Sequence, residues 1–182
     1  TPALEFRTLP DVFSTQQALL QRLTALVSSL PGVEASFRKK YEMLADPGLG
    51  SRRIRLLEYE LRVARFDPAG EVVLDAGSGT GIYSTIFALL GASRVEAIDF
   101  FPENVRSLAE VARVFSLPIR ARHADIASTS LEAGSVGLVY CTEAISHFHD
   151  WGAFIDEAAR VLRPGGRLLI ADGNNGANPR AR

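Results

Sequence analysis

The sequence predicts an α/β fold, a doubly wound and mostly parallel sheet preceded by an N-terminal helical cap. Three observations predict it. From Glu71 onward, short β-branched runs alternate with segments of helical periodicity, an order that forces parallel pairing through right-handed crossovers with helices on both sheet faces. The first of those runs ends in a turn with glycine at the alternate positions 77, 79 and 81. Before Glu71 the only periodicity is helical.

Taken in order, the cap opens with a helix over Ser14–Ser29. Ser14 with Gln17 three residues on forms a capping-box pattern, and Leu19, Leu23, Leu26 and Leu30 make one apolar stripe, stopped by Pro31-Gly32. A shorter helix spans Glu34–Leu44 and ends before Asp46-Pro47-Gly48. A third covers Ser51–Phe66 and carries two stripes: Ile54, Leu57, Leu61 and Ala64 on one side, Leu56, Tyr59, Val63 and Phe66 on another. A helix apolar on two faces is expected to pack between two bodies, here the main domain and either the other cap helices or a partner subunit.

Within the α/β part, strands are expected at Val72–Asp75, Arg94–Asp99, Ile119–Ala124, Val136–Cys141 and Arg167–Ala171. Helices are expected at Thr80–Leu90, at Pro102–Phe115, where proline suits the first turn, and from a cap at Asp150 to Leu162. Pro164-Gly165-Gly166 reads as a structural stop before the last strand, and the stretch between the third and fourth strands as a loop. The organisation is a cap segment over 1–66, the α/β domain over 67–173 and a loop or disordered tail over 174–182.

Composition narrows the class. At 182 residues the chain suits one domain with a modest addition, and 47% hydrophobic with 23% charged residues is the balance of a soluble globular protein. No apolar run approaches the ~20 residues that span a bilayer, and no signal-peptide pattern opens the sequence. The single cysteine, Cys141, excludes an internal disulfide or a cysteine-rich zinc site and fits a reducing, cytoplasmic setting. A net charge of −1 argues against bulk attraction to nucleic acid or membranes. Charge is nevertheless uneven. Between Ser36 and Phe66, eight basic residues (Arg38, Lys39, Lys40, Arg52, Arg53, Arg55, Arg62, Arg65) face four acidic ones, either a solvated helix face or a positive lid over an anionic ligand.

In an open α/β sheet, ligands collect at the carboxyl ends of the strands where strand order reverses. The first such end reads Asp75-Ala76-Gly77-Ser78-Gly79-Thr80-Gly81. A phosphate-cradling loop needs Gly-Lys-Ser/Thr, and no lysine is present. A dinucleotide fingerprint needs glycine where Ile82 stands. The pattern D-x-G-x-G-x-G matches at every fixed position, and it resembles the first motif of the class I S-adenosylmethionine-dependent methyltransferases, whose fold is Rossmann-like.

The resemblance covers roughly Glu71 to Asp172. It implies S-adenosyl-L-methionine as cofactor and S-adenosyl-L-homocysteine as product. It assigns Asp75, Gly77, Gly79 and Gly81 to the cofactor loop and Asp99 to the ribose hydroxyls, a task suited to an acceptor-only carboxylate. Phe100 or Phe101 is placed on the adenine face, and Asp125 with the Ile126 backbone on the adenine edge. Cys141 closes the fourth strand beneath the sulfonium. Arg38 or Tyr41 is the candidate for the methionine carboxylate. Relatives continue past the fifth strand, so the sheet is read as lacking its C-terminal strands.

The implied activity is in-line methyl transfer to a small-molecule acceptor, with His147 or Glu143 as the candidate general base where one is used and His149 nearby. His147 and His149 at i, i+2 lack a third ligand, so no metal is expected. The alternatives are a nucleic-acid or protein methyltransferase, suggested by the basic helices, and a catalytically inactive methyltransferase-like binding subunit, suggested by the short sheet; a dehydrogenase stands last. The expected partner is a small acceptor, anionic where the basic stretch serves as a lid, with neither membrane nor bulk nucleic acid. Homodimerisation would use the cap helices or the exposed sheet edge.

Overall fold

The computed structural model describes Leu30 and residues 35–173. The predicted helix over Ser14–Ser29 and the tail over 174–182 lie outside the described residues. The order is α1 (Ala35–Ala45), α2 (Pro47–Ala64), β1 (Val72–Ala76), α3 (Ile82–Leu89), β2 (Arg94–Asp99), α4 (Pro102–Val114), β3 (Ile119–His123), β4 (Val136–Thr142), a 3₁₀ turn (Ile145–His147), α5 (Trp151–Val161) and β5 (Leu162–Ala171).

All strand pairs are parallel and the sheet order is β3-β2-β1-β4-β5. The chain steps outward from β1 to β3, then crosses to the other side of β1 to form β4. The order therefore reverses between β1 and β4, and a crevice is expected at their carboxyl ends.

Alternation along the strands builds two cores. Val73, Val95, Ala97, Leu138 and Tyr140 face a layer holding Tyr41, Ile54, Leu57, Leu61, Ile86, Phe87 and Leu108. Leu74, Ile98, Val139 and Cys141 face the other way, with Phe154, Ala158 and Val161 of α5. The cap helices thus share the α3–α4 face.

Two sequence expectations change. α2 starts at Pro47 rather than Ser51, because the Asp46 side chain accepts from the Gly48 and Leu49 N–H groups, each at 2.9 Å, and caps the earlier turn. Its two stripes behave differently. Ile54, Leu57 and Leu61 are fully buried and Phe66 is 7% exposed, whereas Leu56, Tyr59 and Val63 are 49%, 64% and 62% exposed, so none of the described residues of this chain covers those three.

β5 starts at Leu162 rather than Arg167. Leu162 pairs with Val136 and Arg167 with Leu138, so Arg163–Gly166 form a bulge inside the strand rather than a stop before it. A side chain on Gly166 would meet the Arg163 and Gly137 carbonyls at 2.9 and 3.1 Å, which is how closely the bulge lies on β4.

The β3–β4 connection is fastened to α5. Glu157 accepts from the Thr129 N–H at 2.8 Å and the Thr129 hydroxyl at 2.6 Å, while Arg160 donates to the Leu131 carbonyl at 2.7 Å. Hydrogen bonds from Arg160 first, and from Thr129, hold the Glu157 carboxyl down at about 2. No helix among the described residues is long and apolar enough to cross a membrane.

Candidate functional site

A cavity of about 300 Å³ lies at the crevice. Its floor is the loop after β1, from Gly77 to Thr80, together with Thr142 and Glu143 after β4. Lys40, Met43 and Leu44 of α1, Leu49 and Arg53 of α2, Ile82 and Tyr83 of α3, and Asp75 of β1 form the rest of the lining. The cap thus lines one side of the site and brings two cations to it.

Asp75 is the penultimate residue of β1 and is almost wholly buried. Its Oδ2 accepts from the Ser84 hydroxyl at 2.5 Å, and the Ser84 N–H also donates to this carboxylate, so Asp75 ties the start of α3 to the strand. Burial pushes its carboxyl up to about 6, with hydrogen bonds from Ser84 opposing the rise and the charge of Asp99 adding to it. The folded value lies above the unfolded one. The contribution of Asp75 to stability is therefore largest below about pH 4 and is lost as pH rises through 6. The stability of the wild type relative to Asp75→Asn should fall by roughly 2–3 kcal/mol between pH 4 and pH 7. Urea unfolding of both proteins across that range checks this, and a pH-independent difference would contradict it.

The glycines divide the work of the loop. Gly79 has φ +53, and a Cβ placed there would meet nothing within 4 Å, so its surroundings are open. Gly81, at φ +69, occupies the cap position of α3, and a Cβ there would run into the Leu108 side chain of α4. This left-handed cap is why α3 begins at Ile82 and not at Thr80. Gly77 lies against Ala144, which a Cβ would approach to 2.6 Å, and against Phe148.

Asp99 ends β2 and is 7% exposed. Its Oδ2 accepts from the Gly79 N–H at 2.7 Å, and its Oδ1 accepts from the Phe101 N–H at 2.9 Å and the Asn104 side-chain amide at 3.1 Å. An ionised carboxylate has about four acceptor positions, so Oδ2 keeps capacity for a further donor. Phe100 beside it is 74% exposed and meets Phe101 and His123 edge-on, with ring centroids at 5.9 and 6.2 Å. Asp125 is exposed at the end of β3 and accepts from the Ala127 N–H at 2.9 Å, while Ile126 is half-buried against the second core.

Cys141 is fully buried. Burial above all, then the charges of Asp75 and Asp172, pushes its thiol up to about 12, so it is a neutral core group. Two residues on, Glu143 adopts φ +51 and donates its N–H to the Ala171 carbonyl at 2.7 Å. A non-glycine residue held in the left-handed region stores about 1 kcal/mol or more, a feature concentrated at functional sites. The turn places Glu143 on the cavity wall. His147 is exposed at the end of the 3₁₀ turn, where its charge helps lower the Asp172 carboxyl, after the larger effect of the Ser146 N–H donated to it. It is not among the residues that line the cavity, and neither are Gly81, Asp99, Phe100, Asp125, Ile126 and Cys141; of the residues expected at the cofactor, Asp75, Gly77 and Gly79 line it, with Glu143.

Of the two cap residues singled out for a ligand carboxylate, neither is directed to that task. Arg38 donates to the Leu30 carbonyl at 2.9 Å, and the Tyr41 hydroxyl is engaged with Thr80, Gly81 and Thr85. Lys40 and Arg53 occupy the cavity instead, with Arg53 reaching the Tyr83 hydroxyl at 3.4 Å. Both belong to the basic stretch, but only the rotation of each helix, set by buried Tyr41 and Leu44 or by Ile54 and Leu57, decides which cation faces inward. Thr142 and Tyr83 carried no sequence signal.

Residues 74–170 match the family model described as "Methyltransferase domain". A ubiquinone biosynthesis O-methyltransferase of Xanthomonas axonopodis pv. citri is 41% identical over 113 residues, covering 59% of this chain and 45% of that protein. A demethylmenaquinone methyltransferase of Tropheryma whipplei is 32% identical over 105 residues, covering 57% and 42%. The chain spans a little under half the length of these relatives. Among solved structures, geranyl diphosphate C-methyltransferase from Streptomyces coelicolor, in complex with Mg2+, geranyl diphosphate and S-adenosyl-L-homocysteine, superposes with TM-score 0.60 at 23% identity, over 79% of this chain and 53% of that one. This last likeness is one of fold.

Proposed function

The chain belongs to the methyltransferase domain family, and from that premise we propose that it binds S-adenosylmethionine across the cavity and transfers its methyl group to a small-molecule acceptor. One observation carries the reading. The open space over Gly79 lies directly beside the Asp99 carboxylate, which holds the Gly79 N–H and retains an acceptor position.

The residues present fit the cofactor. Asp99 would accept from the ribose hydroxyls, and the exposed Phe100 ring offers an apolar face for the adenine, with Asp125 and the Ile126 backbone at its edge. Gly77, Gly79 and Gly81 shape the loop beneath, and Asp75 fixes that loop through Ser84. Lys40 and Arg53 would neutralise the carboxylate of the methionine end. Buried Cys141 would contribute through its backbone and through the floor it packs. When bound, the cofactor supplies an electrophilic methyl group.

The chain's own part is to hold acceptor and cofactor in line and to exclude water, since geometry supplies most of the acceleration in a displacement of this kind. The cap helices act as the excluding wall. Where the accepting atom is a hydroxyl, Glu143 is positioned to take its proton, held at the wall by its left-handed backbone; His147 is the alternative base, from outside that wall. The names of the relatives, a ubiquinone biosynthesis O-methyltransferase and a demethylmenaquinone methyltransferase, favour a precursor of the quinone class as acceptor.

Calorimetric titration with S-adenosylhomocysteine tests the reading. One site per chain is expected, and absence of heat from a folded chain would overturn it.

A further inference from the structure

We infer that Tyr41 is a positioning residue for the cofactor, its hydroxyl locking the helical cap onto the turn that carries Thr80 and Gly81. The inference rests on the reading above that this turn receives S-adenosylmethionine.

Tyr41 lies on α1 and is fully buried, its ring stacked on Phe37 with centroids 5.0 Å apart. Its hydroxyl is 2.9 Å from the Thr85 hydroxyl, 3.1 Å from the Thr80 carbonyl and 3.2 Å from the Gly81 carbonyl. A phenol has one proton to give and can accept in return. It donates to the carbonyl edge of the turn, and the bond between it and the Thr85 hydroxyl can run in either direction. A phenylalanine would fill the same volume, so packing alone does not account for the oxygen, whose burial is costly unless it is hydrogen-bonded. Burial raises the phenol's pKa and keeps it in the donating form.

Two of the partners, Thr80 and Gly81, are in the loop-to-helix turn, and the third, Thr85, lies in the first turn of α3. Thr80 lines the cavity, and Gly81 is the left-handed cap of α3. On the other side of the contact, Lys40 precedes Tyr41 in α1 and lines the same cavity. One hydroxyl therefore fixes both the peptide beneath the ligand and the helix that presents a cation to it. Loss of the hydroxyl releases the cap from the loop while leaving the apolar contacts of the ring.

The test measures S-adenosylhomocysteine affinity by calorimetry, and backbone hydrogen exchange with and without it, in the wild type, Tyr41→Phe, Thr85→Val and Thr85→Ser. The expected result is a five- to tenfold weaker affinity in Tyr41→Phe. Ligand should slow exchange across α1 in the wild type and do so much less in Tyr41→Phe. A tyrosine with a merely structural role would lower protection equally in both states. Thr85→Ser, which keeps a hydroxyl, should bind like the wild type, and Thr85→Val more weakly.

Tyr41→Phe with wild-type affinity and wild-type ligand protection of α1 overturns the inference alone. If Tyr41→Phe does not fold, the Thr85 pair decides, and equal affinity in Thr85→Val and Thr85→Ser overturns it. A folded wild type that binds no S-adenosylhomocysteine overturns the cofactor reading and this inference together.

Discussion

Asp99→Ala is expected to weaken S-adenosylhomocysteine binding by at least about 100-fold while leaving the chain folded. A hydrogen bond to a charged group contributes about 1.5–3 kcal/mol, and two ribose hydroxyls meeting one carboxylate together reach the 2.7 kcal/mol or so that a 100-fold change represents. The substitution also removes the acceptor of the Gly79 N–H, which loosens the loop under the ligand. The protein-internal bonds lost come from the Gly79 and Phe101 N–H groups and the Asn104 amide, at the rim of the sheet where water can replace the carboxylate. Asp99→Asn retains one carbonyl acceptor and should fall between wild type and alanine. Calorimetry beside a thermal melt separates the two effects. Near-wild-type affinity in a folded Asp99→Ala protein would contradict the assignment.

The glycine loop should show the opposite separation at two positions. Gly81→Ala is expected to lose about 3 kcal/mol or more of stability. The backbone at φ +69 costs an L-residue about 1–2 kcal/mol, and the new methyl would drive into Leu108, a side chain 1% exposed and packed into the first core. Forcing such a side chain to move adds about 1–3 kcal/mol. Gly79→Ala carries only the backbone strain, because nothing lies within 4 Å of its added carbon. It should fold with a loss of about 1 kcal/mol, yet bind S-adenosylhomocysteine poorly, since the methyl enters the space reserved for the ligand. Urea unfolding and ligand titration of the pair read both quantities. A stable Gly81→Ala beside an unfolded Gly79→Ala would reverse the account.

The strands were legible because local signals coincide with global ones. Buried parallel strands such as Val72–Ala76 and Val136–Thr142 are near-continuous apolar runs, and Asp75 to Gly81 carries its pattern in seven consecutive residues. The place of Asp99 at the end of β2 was legible because it closes such a run. What escaped depends on contacts distant in sequence or on helix rotation. The role of Tyr41 is written in bonds to residues about 40 positions away. Neighbouring helix residues point about 100° apart, so the basic stretch announces a positive cap without saying that Lys40 and Arg53 face the cavity. Pro164-Gly165-Gly166 reads locally as a stop, yet β4 pairs on both sides of it, and long-range pairing prevails over turn propensity. Glu143 gave no backbone signal at all, since its left-handed conformation follows from its N–H reaching Ala171 across the sheet end.

The central claim is that the carboxyl ends of β1, β2 and β4 receive an adenosyl sulfonium cofactor, its amino-acid end in the cavity and its adenosine beside it, on Asp99. A crystal structure of the chain grown with S-adenosylhomocysteine tests it most directly. The account predicts ribose hydroxyls on the Asp99 carboxylate, the adenine toward Phe100, and the amino-acid end beside Lys40 and Arg53. A nucleoside bound away from Asp99, or a cavity still empty at saturating ligand, would contradict it.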